Sequence, residues 1–399
     1  MSFRIIHLFL IFLLLFSTSP LQSSPLSNDS PSTFFKSTGY VSNIYSLPTS
    51  MRISQPWSGS YWPLTYGGIG WRYNAQYQIY SQPSDHNSRY GTSSFSIYIR
   101  DNYSPAEKYD FLVGDYSYTL TRYTRTRRGR AALWEGICHG WAPAAVKEPT
   151  PKRSVTLYAS DGRTKVTFYA DDIKALASQY YASAMKNYKT DIMGDNGTYN
   201  NNNPASFYIA ITNLIGLRKT AMIYDVAVGG TIWNYPAYSY STSFYNPSTN
   251  LSSNINGSMV SIYYAALSNS YNARVAASNA AYGTAYLIGV VMTVHYTNET
   301  QPRRGTPFGN ATAGRTYNFI LELSSTYNII GGTWVSADRP DFIWKINEAY
   351  GIRKDALDNV SGFNGSAASL RKMTATAKRL SMKSMPIYAI MRYLVINSS

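Results

Sequence analysis

Cysteine is almost missing from this sequence: among 399 residues there is one, Cys138. A single thiol excludes an internal disulfide framework, and no Cys/His spacing offers a zinc site. Histidine is scarce as well, at His7, His86, His139 and His295, so imidazole chemistry has few places to occur. Acids are short. The 21 Asp and Glu stand against 36 Lys and Arg, leaving a net charge of +15, and no acid follows Asp358. Charged residues make up only 14% of the chain, which shifts surface polarity onto hydroxyls and amides. No apolar stretch beyond the first two dozen residues is long enough to cross a bilayer.

What is present points outward from the cell. Arg4, the apolar run Ile5 to Phe16 and the small polar stretch Ser17 to Ser24 read as a secretory signal over residues 1–24. A secreted, extracellular protein without disulfides must rely on an adequate core, which this length permits. Its 37 tyrosines favour strands. Asn-x-Ser/Thr sequons recur from Asn28 to Asn397, as in a glycoprotein. Basic residues cluster at Arg122, Arg125, Arg127, Arg128 and Arg130, and again at Arg371, Lys372, Lys378, Arg379, Lys383 and Arg392. They read either as contacts for anionic surfaces, with proteolytic processing a further reading for Arg127 to Arg130, or as a solvated loop and a solvated terminal helix. No nucleic-acid-binding module is recognisable.

Along the chain, residues 25–54 are rich in Ser, Pro and Thr and read as a flexible linker. Residues 55–125 read as a β-rich N-terminal part, with alternation in Phe95 to Arg100 and Tyr116 to Arg122. Residues 126–349 follow as a core, and 350–399 as a basic tail. Within the core a helix is expected from near Gly136 to Val146, a hairpin across Asp161-Gly162, and a second helix over Asp171 to Tyr188. Strands are expected at Phe207 to Thr212, Thr220 to Val226, from Ile232, and at Tyr286 to Tyr296, Thr316 to Leu323 and Asn328 to Val335. The fold class is α+β.

The lone thiol sits in Trp134-Glu-Gly-Ile-Cys-His-Gly-Trp141. Near a helix start, backbone N–H groups and the helix dipole favour thiolate and can face an oxyanion. Gly136 and Gly140 would let a substrate backbone approach, while Trp134 and Trp141 would wall off water. A buried, inert cysteine reads equally well from these residues alone.

Further blocks stand in order: YWPLTYGGIGWRY at 61–73, SPAEKYDFLVGD at 104–115, WEGICHGWAPAA at 134–145, FYIAITNLIG at 207–216, Asp225, IWNYP at 232–236, NIIGGTW at 328–334 and RPDFIW at 339–344. Over about residues 55–345 they resemble the secreted transglutaminase elicitor family of oomycetes and bacteria. The resemblance implies a papain-like core with a cysteine-bearing helix packed on an antiparallel sheet. The implied reaction transfers an acyl group from a protein glutamine to a protein lysine through a thioester. Mapped in order, Cys138 is the nucleophile, Asp225 orients the base, and the base position falls at Tyr208, where the family pattern calls for histidine. A tyrosine with its ordinary pKa of about 10 is only on the order of one part in a thousand ionised at neutral pH. His139 follows Cys138 directly and points about 100° away on a helix; His86 and His295 are the other contenders. Trp233 joins Trp134 and Trp141 as substrate-binding candidates. Trp233 to Pro236 resembles the peptide that plant receptors detect in oomycete members, with Tyr235 where glutamine is expected. Family members that need calcium direct attention to Asp191, Asp195, Asn196 and Asn200 to Asn203, although the spacing is not that of an EF-hand. Two readings result: a secreted cross-linking enzyme, and a catalytically impaired relative acting as a secreted binding protein. A cysteine protease on the same core would share Cys138 and lack the same histidine.

Overall fold

Long alternating runs of Tyr, Val, Ile, Met and Thr pair into one large antiparallel sheet. The computed structural model describes residues 23–25, 30–36, 39–73, 102–184, 190–194, 203–346 and 362–399. Its strands are β1 (Ser23–Pro25), β2 (Ser50–Arg52), β3 (Val155–Tyr158), β4 (Lys165–Phe168), β5 (Thr190–Gly194), β6 (Met222–Asp225), β7 (Asn234–Tyr245), β8 (Ser252–Ser253), β9 (Met259–Ser261), β10 (Tyr286–Asn298), β11 (Ala311–Leu323), β12 (Ile329–Trp334) and β13 (Phe342–Ile346). The helices are α1 (Pro31–Phe35), α2 (Pro105–Val113), α3 (Thr119–Thr124), α4 (Cys138–Lys147), α5 (Ala170–Ala184), α6 (Pro204–Ile211), α7 (Ile255–Ser258), α8 (Ile262–Ala266), α9 (Tyr271–Ser278), α10 (Ala367–Ser381) and α11 (Tyr388–Ser398). The main sheet runs β1-β12-β11-β10-β7-β6-β13-β5, with β2 and β8 on β7 and β9 on β10; β3 and β4 form a separate hairpin. Its spine is the pair β10–β11, in unbroken register from Tyr286 opposite Leu323 to Asn298 opposite Ala311.

Helix α5 is buried along its whole length, as expected of a helix at the centre of a domain. Its charged residues are therefore paired. Lys108 Nζ lies 2.5 Å from Asp172 Oδ2, and Lys174 Nζ 3.1 Å from Asp171 Oδ1. A neighbouring cluster joins Arg72 and Arg125 to the fully buried Glu107. Glu107 also closes the capping box of α2 with Ser104. These ion pairs lock the 61–73 block to α2 and to the segment that precedes the cysteine.

Several sequence expectations are corrected. Residues 207–212 are not a strand. Asn203 caps a helix there, accepting from the Ala205 N–H at 2.8 Å, and Pro204 opens it; a π-helical turn then follows at Thr212–Leu217. An apolar run buried on every side reads alike as helix or strand, and the Asn-Pro start decides. The N-terminal part is not β-rich where it is described: residues 53–73 and 102–125 hold turns and helices, and Tyr116 to Arg122 leads into α3. Phe95 to Arg100 lies outside the described residues. The described residues of the expected linker 25–54 are not loose, because Phe34, Phe35, Ile44 and Leu47 are buried in the core. Nor is the end of the chain a solvated tail. Helix α10 buries Leu370, Met373, Ala377 and Leu380 while Arg371, Lys372, Lys378 and Arg379 face solvent, and α11 buries Ile390, Met391, Leu394 and Val395.

Candidate active site

The cysteine loop is held by the 61–73 block. Ile137 N–H donates to Tyr61 O at 2.7 Å, Leu64 N–H to Glu135 O at 2.8 Å, and the Tyr61 hydroxyl to Leu133 O at 3.0 Å. Gly136 is required for this clamp, since a Cβ there would lie 2.3 Å from Tyr61 O. Gly140 has a similar task one turn later, where a Cβ would lie 2.2 Å from Ser178 O on α5. Neither glycine leaves room for a substrate backbone, contrary to the sequence expectation; both serve packing.

Helix α4 begins at Cys138 itself, with Ile137 as an N-cap that supplies no side-chain hydrogen bond. Cys138 is 7% exposed. Asn234 Nδ2 stands 3.5 Å from Sγ, and Ile232 O lies 3.8 Å away. Burial pushes the thiol pKa up. The Asn234 amide and the backbone N–H groups of Asn234 and His139 act in the opposite direction, and the charge of Asp225 adds to the rise. The Asn234 side chain is oriented by Trp344, whose Nε1 donates to Asn234 Oδ1 at 2.7 Å. An indole N–H can only donate, so it must face the carbonyl oxygen, which leaves the NH₂ for the sulfur.

Asp225 ends β6 directly opposite Asn234, the first residue of β7. Opposed residues in an antiparallel pair carry Cβ atoms about 5 Å apart. Asp225 is 1% exposed, and its Oδ2 has no hydrogen-bond partner among the described residues. Burial pushes its carboxyl up to about 7, against the lowering effect of the Ala227 and Trp233 backbone N–H groups. The stretch 226–233 between the two residues exposes Val228 and Ile232.

Tyr208 lies within α6, with its ring 6.2 Å from that of Phe319. Its buried hydroxyl has no partner among the described residues, and burial holds its pKa well above the ordinary tyrosine value. It is not one of the groups that bond Cys138. The placement expected for it depended on a strand that is helix. His139 is exposed, and His295 sits mid-sheet in β10 opposite Gly314 and Ser239; His7 and His86 lie outside the described residues. Trp141 is fully buried, donating to Trp57 O at 3.3 Å, so it backs the site from the core side. Trp134 and Trp233 are half-buried. Of the oxygen ligands considered for calcium, Asn203 is spent on capping α6. The Asp191 side chain, Asp195, Asn196 and Asn200 to Asn202 lie outside what is described. Sequence reasoning missed Asn234 and Trp344 as members of the site, although both lie in blocks that carry the resemblance.

No helix among the described residues is long and apolar enough to cross a membrane. The fold is similar to the crystal structure of the GP42 transglutaminase from Phytophthora sojae: the TM-score is 0.59 at 21% identity, over 92% of this chain and 96% of that one. No curated protein matches the sequence. The family model described as transglutaminase elicitor matches residues 32–353. That match spans the clamp, the thiol, Asp225, Asn234 and Trp344, and the chain belongs to the transglutaminase elicitor family.

Proposed function

We propose that this protein is a secreted acyltransferase that moves a glutamine acyl group to an amine through a thioester on Cys138. We read α4 against the main sheet as its papain-like core. The observation that carries the proposal is the juxtaposition of three groups: a thiol at a helix start, the Asn234 amide 3.5 Å away, and Asp225 across the ladder from Asn234. Asp225 serves as the base in place of histidine. A carboxyl pushed up to about 7 is far better matched to proton exchange at neutral pH than an ordinary one. The sulfur attacks the side-chain carbonyl carbon as its proton passes to Asp225. The C–N bond breaks, Asp225 returns the proton to the departing nitrogen, and ammonia leaves. A neutral amine then attacks the thioester carbon and gives its surplus proton to Asp225. The C–S bond breaks, and the sulfur recovers that proton. Water in place of the amine gives deamidation. The Asn234 side-chain amide and the backbone N–H groups around the sulfur are the donors suited to the oxyanion.

Incorporation of a labelled amine into casein tests this. Wild type should incorporate label and release ammonia, and Cys138→Ser should do neither. Iodoacetamide should block both by alkylating Cys138. The raised thiol pKa favours the other reading, an impaired relative that acts by binding. Failure of wild type to release ammonia, together with inert Cys138, would establish that reading instead.

A further inference from the structure

Beside the sulfur, four aromatic rings form a continuous wall. Tyr61 meets Trp233 edge-on at 5.3 Å, Trp233 stacks on Tyr235 at 6.2 Å and 11°, and Tyr235 meets Tyr296 at 4.8 Å. Tyr61 and Trp233 keep part of their surface in solvent, while Tyr235 and Tyr296 are buried. Glu299 stands at the same place. It follows the last residue of β10, and this stretch is tied to the segment ahead of Tyr61: the Thr297 hydroxyl donates to Pro56 O at 3.0 Å and Thr300 N–H to Gly59 O at 2.9 Å. The Glu299 charge acts on the hydroxyls of Tyr61, Tyr235 and Tyr296, and the Tyr235 hydroxyl also hydrogen-bonds to the Glu299 carboxylate and feels Cys138. Glu299 Oε2 is buried without a hydrogen-bond partner among the described residues. Glu299 has no ion-pair partner there either, and Arg315, which acts on Tyr296, is committed to Asp338 at 2.6 Å. With the Tyr235 hydroxyl on the carboxylate, Oε2 is the oxygen left over; an oxygen removed from water without a partner is costly, and a carboxylate among aromatic rings is the chemistry that recognises an alkylammonium ion.

We propose that Glu299, with the rings of Tyr61, Trp233, Tyr235 and Tyr296, forms an ammonium subsite that seats the amine acceptor beside Cys138. This assignment rests on the acyl-transfer reading for its role but not for its existence. The acceptor docks as an alkylammonium ion and sheds one proton to solvent before it attacks.

The binding test uses the full-length Cys138→Ser protein, titrated with n-pentylamine hydrochloride and, separately, with the uncharged n-pentanol. Glu299→Gln should weaken n-pentylamine binding ten-fold or more and leave n-pentanol unaffected. Tyr61→Leu, which keeps the carboxylate, should weaken n-pentylamine several-fold. Thermal unfolding of each variant confirms that it folds. Equal n-pentylamine affinity with and without the Glu299 charge overturns the subsite, as does n-pentanol binding as tightly as the amine. The turnover test puts Glu299→Gln into the Cys138 enzyme: the ratio of amine incorporation to ammonia release should fall ten-fold or more. A charge-dependent amine site in a protein that never releases ammonia would sustain the subsite while the acyl-transfer reading fails.

Discussion

At the scale of single residues, the candidate site includes a carboxyl, Asp225, that burial holds in its protonated form. In the fold Asp225 keeps its proton up to about pH 7, whereas its ordinary value is 3.8. The native state therefore binds more protons than the unfolded chain between those values, and stability is lost as pH rises from about 4 to 7, then levels off. Three pKa units correspond to about 4 kcal/mol as an upper figure. Asp225→Asn removes the ionisable group, so melting curves should show the variant gaining on wild type across that window, with the difference constant above it. Amine incorporation should collapse in the same variant. In wild type, incorporation should climb as pH rises through about 7. A stability difference between the two proteins that does not change with pH would mean that Asp225 is an ordinary ion. Cys138 stood out in the sequence by its isolation, and Asp225 entered only through the family resemblance, as the group that orients the base. Asn234 was not legible, because an amide has no spacing rule of its own; the fold brings it to the sulfur and Trp344 orients it.

At the scale of elements, α4 is positioned by what it cannot hold. Gly140 admits the backbone of α5 at Ser178 and Ala182, and Gly136 admits Tyr61. Gly140→Ala should separate α4 from α5 and destabilise the protein by about 1–3 kcal/mol, measurable as a lower urea midpoint, with iodoacetamide labelling of Cys138 altered because the helix carries the thiol. An unchanged midpoint would mean that the two helices can slide to make room. Helix periodicity made α5 readable in advance, and alternation made β10, β11 and β12 readable. The hairpin of β3 and β4 followed from its Asp-Gly turn. Residues 204–217 defeated the same reasoning because Phe207, Tyr208, Ile209, Ala210 and Ile211 are all buried, so no face alternates with another.

At the scale of the whole molecule, the last helices belong to the core and not to an appendage. Their basic residues drew the reading of a tail, while the spacing of Leu370, Met373, Ala377 and Leu380 fits one face of a helix. Arg392 pairs with Glu148 at the end of α4, Arg371 donates to Ser160 O at 2.8 Å, and the Tyr109 hydroxyl of α2 accepts from Ile387 N–H at 2.8 Å. Removal of residues 362–399 should leave a chain that binds a dye for exposed apolar surface and lacks a cooperative thermal transition. A sharp transition near that of the full chain would place the core elsewhere.

Ser398 O accepts from the N–H groups of both Lys152 and Arg153, so the segment leading from the cysteine helix into β3 finds its partner almost four hundred positions into translation. Until the ribosome has delivered that partner, the helix that begins at Cys138 is followed by a segment with nothing to hold it.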